Sequence, residues 1–350
     1  MTTQHLPPFT CSVSPGMQEL LWKLQGTLAI TTYQAGKLIF ISSVSERDII
    51  QLPRQYDKAM GLAVKDNRLA VATQYEVQVL ASSGSLARNY GSGSYDTLYL
   101  PRATYYSGEI DLHDMAWGNE GLWGVNTRFS CLSIIDDEFS FKARWQPSFI
   151  TGLTPDDRCH LNGMAMENGK PRYVTALGST DSPKGWRASV QNGGILMDVE
   201  SGEIITHGLA MPHSPRICDN RLFVLCSATG ELISIDTHTG RYDVVTRLNG
   251  FLRGMCRKDD ILFIGLSGLR KNSGTFRNLP VAKNPLFCGI VAVHLSSGEP
   301  VGYIRYENSV EEIYDVQFLE GLRRPGILNT QKEDHRKALV TEKGTFWSES

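Results

Sequence analysis

A unit of roughly fifty residues recurs along the chain, and such self-similarity marks repeat architectures more firmly than any local propensity. Each copy is a short apolar strand, a polar turn and a second apolar strand. The copies read KAMGLAVKDNRLAVAT (58–73), LHDMAWGNEGLWGVNT (112–127), HLNGMAMENGKPRYVTA (160–176), PHSPRICDNRLFVLCS (212–227) and LRGMCRKDDILFIGLS (252–267), with a weaker sixth beginning IYDVQFLEG (313–321). The shared DNRL at 66–69 and 219–222 sets the register. It makes Met60, His113, Asn162, His213, Arg253 and Tyr314 equivalent, at successive separations of 53, 49, 51, 40 and 61 residues.

Strand signals rich in Val, Ile, Phe and Tyr, punctuated by 33 glycines and 15 prolines, favour many short elements over long helices. Six four-stranded units predict an all-β fold, a six-bladed β-propeller. Residues 26–52 supply three outer strands without an inner one, and 313–319 an inner strand without its outer three. Pairing them in one blade closes the ring and removes an open edge. The expected organisation is an N-terminal segment with a short helix (1–25), the propeller (26–321) and a polar C-terminal tail (322–350). In the helix, Ser14 reads as N-cap, Pro15 as first residue and Gly26 as terminator.

A net charge of −2 and no basic stripe argue against nucleic acid or an acidic membrane surface as partner. The start of the chain lacks a cationic and apolar leader, and no apolar run reaches membrane-spanning length, so a cytoplasmic location is expected. Seven cysteines, without a C-x-x-C pair, read as small core residues. The chain has no G-x-S-x-G elbow and no H-E-x-x-H helix, and GSGS at 91–94 opens no helical pattern.

The inner strands of a propeller begin on one face beside the central channel. His113, Asn162, His213, Arg253 and Tyr314 are therefore expected to face one another. His160, two residues before Asn162, joins them if the chain is extended there. Loops at 126–130, 176–189 and 265–285 add Arg128, Trp186, Arg187, Arg270 and Arg277 to a rim shared with Arg216. Guanidinium groups suit a carboxylate, sulfate or phosphate.

Three neutral imidazoles with an open position are a catalytic zinc set and also suit manganese, nickel or iron. His113, His160 and His213 are thus candidate ligands of a divalent transition metal, zinc first. Tyr314 and Arg253 remain for proton transfer and for stabilising negative charge. Asp114 and Asp315 read either as carboxylates serving the metal site or as hydrogen-bonding links between blades; Arg216 and Arg253 read either as anchors or as braces. The expectation is a metal-dependent lyase or hydrolase acting on a small polar or anionic molecule or modified peptide. The rivals are a non-catalytic propeller binding a carbohydrate or partner protein, and metal-free catalysis by a histidine base.

The strings HDMAWG, RCHLNGMAM, YVTALGSTD, GWR, MPHSPR and EIYDVQF resemble a family of uncharacterised bacterial propeller proteins, sometimes joined to tetratricopeptide repeats. The resemblance spans about residues 15–325 and implies the propeller without an activity. More distantly, the arrangement is similar in architecture to the peptidyl-hydroxyglycine amidating lyase, where three channel histidines hold zinc beside a tyrosine and an arginine. That likeness implies such roles for His113, His160, His213, Tyr314 and Arg253.

Overall fold

The computed structural model describes residues 6–91, 93–269, 276 and 278–348. Six antiparallel sheets form the blades of a propeller. Blade 1 joins the two ends of the chain as expected: Asp315–Glu320 is innermost, followed by Gly26–Thr32, Lys37–Ser43 and Ile49–Gln55. Register runs from Thr31 opposite Asp315 to Gly26 opposite Glu320. The inner strands of blades 2 to 6 are Leu62–Lys65, Leu112–Gly118, Leu161–Glu167, Pro212–Cys218 and Phe251–Lys258. Apolar residues on both faces of each sheet pack against the neighbouring blades, so the core is a ring of interfaces. Leu69, Val71, Leu38 and Phe40 fill one such interface, and Val125, Leu161 and Met164 another.

The terminal segments cover two outer edges. Cys11–Val13 pairs antiparallel with Pro300–Tyr306 of blade 6, and Pro325–Ile327 pairs parallel with Thr97–Tyr106 of blade 2. The polar tail is therefore a strap. It ends in a hairpin, Ala338–Thr341 with Gly344–Trp347, whose Trp347 stacks on Tyr90 at 5.2 Å. Covering the edges removes templates for pairing with other chains.

Ser14 caps the helix Pro15–Leu24 by accepting the Met17 N–H, and Met17 and Leu21 are buried where blades 6 and 1 meet. The terminator differs from expectation. Gln25 takes the left-handed conformation (φ 52°), while Gly26 opens a strand, because a Cβ there would lie 2.3 Å from the Phe318 ring. Among the described residues no helix is long and apolar enough to cross a membrane. All seven cysteines are free, and six are buried.

Below the channel mouth a second ring of residues ties the inner strands together. Asp315 accepts the Leu62 N–H at 2.8 Å, Asp114 the Met164 N–H at 3.1 Å and Ser214 the Gly254 N–H at 3.0 Å. These bonds join blades 1 to 2, 3 to 4 and 5 to 6. At the other three junctions a glycine admits the next strand. A Cβ on Gly61 would lie 3.3 Å from the Asp114 backbone, on Gly163 2.9 Å from Ser214 N, and on Gly254 2.7 Å from Asp315 Cα.

Candidate ligand site at the channel mouth

The mouth opens into a cavity of about 350 Å³. Its wall carries His113, His160, His213, Arg253 and Tyr314, and from the rim loops Arg128, Lys184, Trp186 and Arg187. Tyr33, Phe251 and Phe276 add aromatic surface, while Asp111, Asp157 and Glu312 add carboxylates.

Local backbone explains how the histidines reach it. In four successive blades the residue two before the equivalent position is left-handed: Lys58 (φ 46°), Asp111 (φ 51°), His160 (φ 53°) and Met211 (φ 55°). This conformation costs an L-residue about 1 kcal/mol or more and persists where surrounding contacts impose it. In blades 3 and 5 it turns a carbonyl onto the imidazole. His113 Nδ1 lies 3.2 Å from Asp111 O, and His213 Nδ1 lies 3.0 Å from Met211 O. A carbonyl only accepts, so both rings carry their proton on Nδ1. Thr127 and Ser227 fit that assignment. Each hydroxyl donates to the next blade, to Leu161 O and Leu252 O, and presents its lone pairs to Nδ1 at 2.8 Å.

His160 reaches the same state by another route. Its Nδ1 lies 2.9 Å from Asp157, which also accepts the Trp186 indole N–H at 3.1 Å. The loop bearing Trp186 is tied down by Arg158 to Asp181 at 2.7 Å and by the Lys184 N–H to Asp156 O at 3.1 Å. All three imidazoles therefore have Nδ1 engaged, which leaves Nε2 as the ring nitrogen available to the cavity. Burial, reinforced by the Arg253 charge, holds His113 and His213 well below the ordinary histidine range, so both are neutral at pH 7.

Arg253 lies over the Tyr314 ring, 3.5 Å from its centroid, and pairs with Glu312 at 3.2 Å. Burial raises the Tyr314 hydroxyl far above its usual value, against the pull of Arg253, and keeps it a proton donor. The His113 ring is 5.4 Å from that of Tyr314 and 4.9 Å from that of His160.

Four residues singled out in the sequence lie off this wall. Asp114, Asp315 and Arg216 belong to the ring beneath. Arg216 grips both Asp114 oxygens at 2.8 and 3.2 Å and donates to Met255 O and Met164 O, tying three blades together. Asn162 is buried, with Oδ1 accepting from Thr175, and its Nδ2 has no partner among the described residues. Period-two reasoning placed it beside His160. His160, however, sits in the left-handed turn before the strand, so the two do not share a face. Arg270 and Arg277 lie outside the described residues. Arg128 lines the cavity while paired to Glu109 at 3.1 Å.

Among the described residues no group of three or more His, Cys, Asp or Glu is arranged to hold a metal ion. His113, His160 and His213 share one cavity without closing on one point; His213 packs edge-on against Phe251 at 5.9 Å. The donors are right in kind, but the expected ligand set is not assembled. Sequence reasoning also missed Asp157, Thr127 and Ser227. The two hydroxyls had a signal, since each follows its histidine by fourteen residues.

Residues 15–328 match the model of a family described as a domain of unknown function, DUF4915. The chain belongs to that family. Among curated protein sequences none matches it. The fold is similar to a chain in the crystal structure of a nidogen/laminin complex, with 11% identity and TM-score 0.53 over 85% of this chain and 99% of that one. It is also similar to a protein of unknown function from Bacteroides caccae, with 9% identity and TM-score 0.52 over 84% and 99%. At such identities the likeness shows the fold alone.

Proposed function

We propose that the channel mouth binds a small anionic molecule and acts on it as a lyase or hydrolase. Arg253 anchors the negative charge, His160 is the general base and Tyr314 the general acid. One observation carries the reading: three imidazoles, each with Nδ1 occupied, offer Nε2 to the cavity that also holds a buried arginine. A base needs a fixed tautomer and a partner for the imidazolium it becomes, and Asp157 supplies both to His160. Arg253 in the cavity and the exposed Lys184 and Arg187 at its rim bring guanidinium and ammonium groups that suit an anion.

Calorimetric titration with citrate, phosphate, sulfate and simple carboxylates tests this, comparing the parent with Arg253→Gln. Saturable binding by the parent, weakened at least about tenfold in the variant, is the expected result. A parent that binds neither these anions nor any larger carboxylate overturns the proposal.

A second reading retains a divalent transition metal, zinc first. It is favoured because metal-bound histidines hold their other ring nitrogen in the same way; it requires His213 to move toward His113 and His160. Elemental analysis decides, using protein purified without a metal-affinity tag beside the triple variant His113→Ala, His160→Ala, His213→Ala. Near one equivalent in the parent, lost in the variant, supports it.

A further inference from the structure

We infer that the anionic molecule is a uronic acid residue within an oligosaccharide and that the reaction is β-elimination; this rests on the functional reading above and narrows it. The hydrogen-bonding complement points to such a ligand. Deep in the cavity the cation is Arg253, whose guanidinium fork is bonded to Glu312 through Nη1, and the neutral His113 and His213 rings offer Nε2 atoms that only accept. A ligand that satisfies both carries one anionic group and several hydroxyl donors. Phe251 and Phe276, both partly exposed, supply flat apolar surface for the C–H faces of a sugar ring. Lys184 and Arg187, both exposed at the rim, repeat the positive charge outward, as a chain with one carboxylate per unit requires. A volume of about 350 Å³ has room for one or two sugar rings.

The carboxylates decide between hydrolysis and elimination. Glycoside hydrolysis uses two carboxyl groups that flank the bond as acid and as base or nucleophile. Here Glu312 is paired with Arg253, Asp157 serves His160 and Trp186, and Asp111 lies 3.7 Å from Arg128. Elimination uses the groups that remain. His160 Nε2 takes the proton from the carbon bearing the carboxylate, and that electron pair forms the double bond. The bond from the adjacent carbon to the neighbouring sugar oxygen breaks, and the oxygen takes the Tyr314 proton. The imidazolium then returns its proton to the phenolate through water, so no oxidant, reductant or further reactant is consumed. Arg253 faces the carboxylate, whose negative charge grows in the transition state, where a fixed buried cation stabilises most.

The test incubates the protein with oligogalacturonides, oligomannuronides and glucuronate-containing disaccharides while following the ultraviolet absorbance of the conjugated unsaturated uronate. Absorbance should grow with one of the three and fall at least about a hundredfold in His160→Gln and in Tyr314→Phe. Melting curves and calorimetric affinities of both variants separate lost chemistry from lost folding. The same oligosaccharide with its carboxyl reduced to a hydroxymethyl group should neither react nor bind, a control that needs no variant. Binding of a uronide without unsaturated product overturns the elimination. If simple anions bind and no uronide does, the inference falls while the reading above stands; if nothing binds, both fall.

Discussion

Two rings of residues, adjacent in sequence, line the same channel and do opposite work. The upper ring, Met60, His113, Asn162, His213, Arg253 and Tyr314, varies freely in type and supplies most of the cavity's chemistry. The lower ring, Gly61, Asp114, Gly163, Ser214, Gly254 and Asp315, alternates glycine with an acid or hydroxyl and holds the blades in place. The difference is one of unused hydrogen-bonding capacity. Asp114 spends both oxygens on Arg216 and one also on Met164, whereas the histidines keep Nε2 in reserve. A charged side chain beside a channel is therefore a poor guide to function until its partners are counted.

Substitutions in the two rings should separate sharply. Asp114→Ala leaves the part-buried Arg216 without its carboxylate and should cost about 3 kcal/mol in denaturant unfolding. Adding Arg216→Met should restore much of that loss; a double variant no more stable than the single one would break the comparison. Gly254→Ala drives a Cβ into Asp315 at a left-handed position (φ 76°) and should cost about 2–3 kcal/mol. His113→Gln, in the upper ring, should lose only about 1 kcal/mol by the same measurement while weakening ligand binding. Arg128→Gln, paired at the rim, should change stability by less than about 0.5 kcal/mol.

The pH dependence of stability sharpens the contrast because the two rings carry opposite signs. His113 and His213 stay neutral in the fold, while an unfolded imidazole takes a proton near 6.5. The unfolded chain then binds more protons, so stability is full above that pH and is lost as the pH falls through it. Burial, with the nearby Asp114 charge, pushes the Asp315 carboxyl from 3.8 up to about 7. There the folded chain binds more protons, so its contribution declines as pH rises between those values. Urea midpoints across this range should show the acid loss reduced in His213→Gln and the decline removed in Asp315→Asn. Unchanged profiles would mean that these groups titrate alike in the two states.

Much of the fold was legible because a repeat needs only hydrophobic period and turn chemistry, which are local. The blade closed by residues 26–52 and 313–319 could be read before any contact was known. The site was legible in part. Equivalent positions brought His113, His213, Arg253 and Tyr314 to the mouth, but alternation failed at His160, where a left-handed residue breaks the extended chain.

The sequence by itself determined the propeller, its closure and the family of side chains that gather at one end of the channel. Only the tertiary structure decided which of them are spent and which are available. Arg216 finds Asp114 across 102 residues and Asp315 finds Leu62 across 253, so the partners that fill a side chain's capacity come from other blades. Hydrogen bonding is settled by distance in space, and the repeat places equivalent residues together without saying which neighbour each will take.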